Sequence, residues 1–161
     1  MMVTIISIII IVLVITVIWF LKEALKGAKR TLGQLHRPIS DLLSRGFDGG
    51  VLIIEHSKTG RFIQFSKYIK SKEDFGIELA FPKAGWSKYY YSRVKDVCKN
   101  FDLNIREDFS CGEGELTFLF ADFDKDVDSA FKFSKAVFKD VFKVNTADKV
   151  HVRLRNASAT A

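Results

Sequence analysis

Residues Val3 to Leu21 run VTIISIIIIVLVITVIWFL without one charged side chain, and the next residue is Lys22. No other feature constrains the chain as strongly. Fifteen of these nineteen residues are Ile, Val, Leu or Phe. At about 1.5 Å rise per residue, the uncharged stretch from Met1 to Leu21 would span roughly 30 Å as a helix, the hydrocarbon thickness of a bilayer. Ile and Val are poor helix formers in water. In lipid, however, only a helix satisfies every backbone group within one segment. A cleaved signal peptide would show a basic start, a shorter apolar core and a small-residue cleavage site, and this stretch has none of them. It therefore predicts a single transmembrane helix over residues 1–21.

The flanking charge predicts an orientation. Lys22, Lys26, Lys29, Arg30 and Arg37 all follow the apolar stretch, and nothing basic precedes it except the amino terminus. The positive-inside bias then places the N-terminus outside and the following domain in the cytoplasm, as in a single-pass protein of the cell (inner or plasma) membrane. Those five residues are the candidate membrane-surface basic set, with the lipid bilayer as partner. The net charge of +6 divides unevenly. Residues 22–45 carry six Lys/Arg against two Asp/Glu, whereas residues 46–161 carry nineteen against seventeen. The near balance of the larger part speaks against nucleic acid as a partner. Two cysteines, Cys98 and Cys111, are too few for a disulfide framework and fit a reducing compartment.

The remaining chain divides into a basic connector over 22–36, continuing the first helix to about residue 32, an α+β domain over 37–145, and a tail over 146–161. Pro38 opens a short helix with Ile39, Leu42 and Leu43 on its apolar face, ended at Arg45-Gly46. Val51–His56 and Arg61–Tyr68 read as strands joined by the turn Ser57-Lys58-Thr59-Gly60. Gly76–Phe81 follows, with Ile77, Leu79 and Phe81 on one face. Ser87–Phe101 is helical, with Tyr90, Val94, Val97, Cys98 and Phe101 as its core stripe. Leu103–Asp108 and Glu115–Ala121 form a second hairpin, with Leu116, Phe118 and Phe120 on one side. Asp124 would cap a last helix whose stripe is Val127, Ala130, Phe131, Ser134, Phe138, Val141 and Phe142. Val150–Arg155 alternates as an edge strand. The order is α-β-β-β-α-β-β-α, an α+β domain with an antiparallel sheet behind an N-terminal transmembrane helix.

That order, with Gly50-Val51-Leu52-Ile53-Ile54-Glu55, Gly60-Arg61-Phe62-Ile63-Gln64-Phe65, Ile77-Glu78-Leu79-Ala80, Gly85-Trp86 and the Phe-rich last helix, resembles the type III secretion chaperone fold and its YbjN or TY-Chap-like relatives. The resemblance covers about residues 37–145. It implies a chaperone-like homodimer that holds a partner segment in extended form.

A search for chemistry yields little. Glu55 and His56 are adjacent on a strand and so point to opposite faces. His36 and His151 offer no ligand spacing, and no metal or other cofactor is expected. Asp122, Asp124, Asp126 and Asp128 alternate, but the sixth and twelfth positions of a calcium loop counted from Asp122 hold Val127 and Phe133. Cys98 falls on an apolar stripe; Cys111 falls in a turn. No residue pair reads as catalytic, and the chain is taken as a non-enzyme.

The aromatic run Tyr89-Tyr90-Tyr91, close to Trp86 and set between Lys83, Lys88 and Arg93, is the best candidate binding surface. Consecutive helical positions cannot all face the core, so Tyr89 or Tyr91 is expected outside. Phe133 lies off the expected stripe of the last helix and is a further exposed candidate. Trp86, Tyr89, Tyr91 and Phe133 are thus the expected partner-binding residues. Together these readings predict a membrane-anchored, non-enzymatic module holding a protein or peptide at the cytoplasmic face. The alternatives are an assembly subunit of a membrane complex or an enzyme acting at the membrane.

Overall fold

The computed structural model describes residues 27–109 and 116–158. Its elements are β1 (Ala28–Thr31), a 3-10 turn (Leu32–Gln34), α1 (His36–Arg45), β2 (Gly46–His56), β3 (Phe62–Ile69), β4 (Phe75–Pro82), α2 (Lys88–Asn100), β5 (Asn104–Phe109), β6 (Thr117–Asp122), α3 (Val127–Ala136), a π-helical turn (Val137–Val141) and β7 (Lys149–Ala157). The strands form one antiparallel sheet in the order β1-β7-β2-β3-β4-β6-β5. This is an α+β fold.

Strand alternation decides where the core lies. Leu52 and Ile54 of β2, Ile63 and Phe65 of β3, Ile77, Leu79 and Phe81 of β4, and Leu119 and Ala121 of β6 are all fully buried. They join Leu35, Ile39 and Leu42 beneath α1, Val94 and Cys98 of α2, and Ala130, Phe133 and Phe138 around α3 in a single cluster. All three helices therefore cover one face of the sheet. Fully burying a Leu, Ile or Phe contributes about 1.5–3 kcal/mol, so this layer dominates the stability. No described helix packs on the other face, which carries Ile53, Phe62, Gln64, Glu78, Phe118 and Phe120.

Two glycines are set by space. A Cβ on Gly27 would lie 2.4 Å from the Val152 carbonyl oxygen, and its φ of 83° is itself unsuited to other residues. A Cβ on Gly76 would lie 2.6 Å from both the Tyr68 hydroxyl and the Asp124 carbonyl oxygen.

The structure corrects several expectations. Among the described residues no helix is long and apolar enough to cross a membrane. The expected transmembrane helix over 1–21 falls outside the described residues, and the single-pass membrane location and orientation built on it are set aside. The described part of the connector, from Gly27 on, is not a helical continuation either. Lys29 and Arg30 lie in β1, where Lys29 pairs with His151 and Arg30 with Val150 of β7. Arg37 sits in the first turn of α1; Lys22 and Lys26 lie outside the described residues. Lys29, Arg30 and Arg37 thus lie on a strand and on a helix rather than in one helical stretch.

The C-terminal segment is not an edge strand. It is hydrogen-bonded on both sides, to β1 and to β2. On β6 the faces are reversed: Leu119 and Ala121 point to the helices, while Phe118 and Phe120 stack on the open face with centroids 6.0 Å apart. The cap of α3 is Asp126, whose side chain accepts from the Ser129 N–H at 2.8 Å, rather than Asp124. Phe133 is wholly buried. The residues Ala130, Phe133, Ser134, Val137, Phe138 and Val141 follow the i, i+3, i+4 spacing of a core face, and the π-helical turn brings Phe142 inward as well.

Candidate protein-binding surface

The turn between β4 and α2 is built to present Trp86. Ser87 is fully buried, and its hydroxyl accepts from the Ala84 N–H at 2.8 Å while donating to the Pro82 carbonyl. Gly85 has open space around it. The indole lies against Phe62 (4.9 Å between centroids), Phe81 (5.9 Å) and Phe142 (6.5 Å), which hold it in place without covering it. Trp86 remains 38% exposed.

One turn on, the three tyrosines separate by function. Tyr91 points inward, 6% exposed, and its hydroxyl has no hydrogen-bond partner among the described residues. Burial, and then the negative charge of Glu107, push its phenol up to about 12. Tyr90 is half-buried, edge-on to Phe142 at 5.2 Å. Tyr89 is the most exposed at 64%, edge-on to Tyr90 at 5.2 Å. Of the four residues expected at this surface, Trp86 and Tyr89 are available, whereas Tyr91 and Phe133 belong to the core.

Cations stand over these rings. The Arg93 guanidinium lies 4.6 Å from the Tyr89 centroid and donates to its hydroxyl at 2.8 Å. The Arg61 guanidinium lies 4.9 Å from the Tyr90 centroid and donates to the Phe142 carbonyl at 2.8 Å. Lys83 is 5.2 Å from the Tyr91 ring. Such contacts contribute about 0.5–1 kcal/mol each at exposed sites and fix the orientation of ring and cation together. Arg61 and Phe62 escaped the sequence reading, because their strand start is distant in sequence from the tyrosines. Only the end-to-end packing of β3 against the α2 turn brings them there.

Among the described residues the remaining polar groups do not assemble into a second site of this kind. Glu55 pairs with Arg153 at 2.6 Å on the open face. His56 points the other way, its Nδ1 2.8 Å from the Thr59 hydroxyl and its Nε2 3.4 Å from Asp148. His36 joins α1 to α3 through Asp128 at 3.0 Å. Among the described residues no group of His, Cys, Asp and Glu could hold a metal ion. Cys98 is buried, and burial pushes its thiol up to about 12, so it is a packing residue. Cys111 lies outside the described residues.

A concavity of about 310 Å³ on the open face is lined by Tyr68, Glu78, Arg106, Phe120 and Asp122, among others. Its charges are matched internally: Arg106 pairs with Glu78 at 3.1 Å, and the Tyr68 hydroxyl donates to Asp122 at 3.0 Å. The alternating aspartates are likewise spent locally, with Asp122 and Asp124 accepting from Tyr68 and Asp126 capping α3.

No protein-family model matches the chain, and neither a curated protein nor a solved structure matches it.

Proposed function

We propose that this protein is a non-enzymatic binding module that holds a segment of a partner protein against the surface formed by Trp86 and Tyr89. One observation carries this reading: two large aromatic side chains, 38% and 64% exposed, are joined through the Phe142 and Tyr90 rings in one aromatic chain. Trp and Tyr are the residues that most often dominate binding energy, because they offer large contact area at small entropic cost. Holding the rings in place beforehand by Phe62, Phe142 and Arg93 lowers the ordering cost of binding.

The test is photo-crosslinking in cells with a benzophenone amino acid at position 89 of the full chain, against the same group at Lys132 on the far helix. A defined adduct formed from position 89 alone, and lost when Trp86→Ala is added, supports the reading. Adducts that are the same from both positions overturn it.

A further inference from the structure

Resting on that reading, we infer that the segment held at the Trp86–Tyr89 surface is acidic, an extended stretch with Asp or Glu on either side of an apolar anchor. The inference comes from the charge around the rings. Arg61, Lys83, Lys88 and Arg93 surround the aromatic surface, and among the described residues none of them is ion-paired with a carboxylate within 4.0 Å. Lys83 exerts only a longer-range pull on Glu107, whose direct partner is Lys95. Four cations elsewhere on the sheet and its loops do have such partners, in Lys58–Asp148, Lys95–Glu107, Arg106–Glu78 and Arg153–Glu55.

The two guanidiniums are also incompletely used. Arg61 gives one N–H to a backbone carbonyl and Arg93 one to a phenol, and each keeps further donors in a planar fork suited to a carboxylate. Their positions over the Tyr90 and Tyr89 rings bring those donors to the border of the apolar surface. Lys88 stands in the first turn of α2, which contains no acidic residue, so the local field favours negative charge. A carboxylate-bearing segment would satisfy all of these at once.

Single-stranded nucleic acid is the competing anion. The same geometry disfavours it, because the Tyr89 and Tyr90 rings each have one face occupied by a guanidinium and cannot stack a base there. The near balance of charge over residues 46–161 adds little general attraction for a phosphate backbone.

The experiment measures fluorescence anisotropy with the full chain and three fluorescein-labelled probes. These are a short peptide alternating Glu and Phe, the same peptide with Gln for every Glu, and a single-stranded oligothymidylate. The expected result is that the Glu peptide binds roughly tenfold or more tighter than the Gln peptide, with the preference weakening as salt rises. The preference should collapse in the Lys88→Gln/Arg93→Gln variant, while affinity for the Gln peptide, which reports the lost Arg93–Tyr89 contact by itself, should fall far less. Equal affinity for the two peptides, both lost in Trp86→Ala, overturns the acidic inference and leaves the binding surface standing. Binding of neither peptide, or binding indifferent to both Trp86→Ala and Tyr89→Ala, overturns the surface itself. Tighter binding of the oligothymidylate than of the Glu peptide overturns the inference in favour of nucleic acid.

Discussion

Glu78 on β4 and Asp122 on β6 are direct cross-strand neighbours, two carboxylates in register on the open face of the sheet. Like charges placed opposite one another destabilise a sheet. Here each is drawn to a different partner, Glu78 to Arg106 and Asp122 to the Tyr68 hydroxyl. Asp124 Oδ1 lies 3.1 Å from the same hydroxyl and shares its one proton, and burial together with these carboxylates holds the phenol well above the usual range. Tyr68→Phe removes the donor and should cost about 1–3 kcal/mol in urea unfolding. The loss should shrink in a Glu78→Gln background, where Asp122 no longer faces a charge. A double-mutant cycle with no coupling would show that the pair is not held this way.

Ser87→Ala should have two effects that can be measured separately. The hydroxyl is buried between the Ala84 N–H and the Pro82 carbonyl, so its removal should destabilise by about 1–3 kcal/mol. It also fixes the turn that carries Trp86. In a Trp19→Phe background, which leaves Trp86 as the sole indole, the emission of Ser87→Ala should shift to longer wavelength and its anisotropy fall. Unchanged emission would mean that the turn is held by other contacts.

Phe133 and Tyr89 give opposite expectations for the same kind of truncation. Phe133 is wholly buried against Phe101 at 5.8 Å and Phe123 at 5.3 Å. Phe133→Ala should cost about 3–5 kcal/mol. Tyr89→Ala, at an exposed position, should cost no more than about 1 kcal/mol, the scale of its contact with Arg93. Chemical denaturation of the two variants side by side decides the matter, and equal losses would refute the burial difference.

Cys98 gives a pH dependence of definite sign. Its thiol is raised from 9.0 to about 12 by burial, so the folded state binds this proton more tightly than the unfolded chain does. The stabilising contribution is complete below about pH 9 and is lost as pH climbs from there toward 12. Unfolding free energy should therefore fall over that window, and less steeply in Cys98→Ala. With Cys111→Ser in the background, a thiol reagent at pH 8 should label Cys98 only when urea is present. Rapid labelling of the native protein would contradict its burial.

How much of this was legible beforehand differs from element to element. The alternation in Val51–His56 and Ile77–Phe81 shows which side of each strand faces the helices, because one side is apolar and the other mixed. On β6 the pattern is ambiguous: Phe118 and Phe120 are the larger side chains, yet the smaller Leu119 and Ala121 fit under α2 and α3. Size alone misled there. Phe133 was hidden for a related reason. Phe131 and Phe133 compete for one stripe, and the choice depends on helix rotation, with Phe131 packing instead beside His36 at 5.7 Å. Tyr89 and Trp86 were legible as exposed aromatics, while Tyr90, expected on the core stripe, and Tyr91, expected outside, exchange places because tertiary packing sets the helix rotation. The basic run around Lys29 and Arg30 gave no sign of β1, since its four residues are a strand only because β7 lies beside them.

The insertion of β7 between β1 and β2 has a consequence for the order in which the molecule can be assembled. The strand that completes this half of the sheet is synthesised after the other six described strands. Until it arrives, β1 has no neighbour to pair with, and one side of β2 (with Val51, Leu52, Ile53 and Ile54) is an open, apolar template. Pairing across so long a stretch of chain is slow to form, and an unpaired apolar strand is a site of aggregation. Chains released before residue 149 should therefore retain the β3–β4 pairing and its helices yet be prone to self-association, a vulnerability of synthesis rather than of the finished fold.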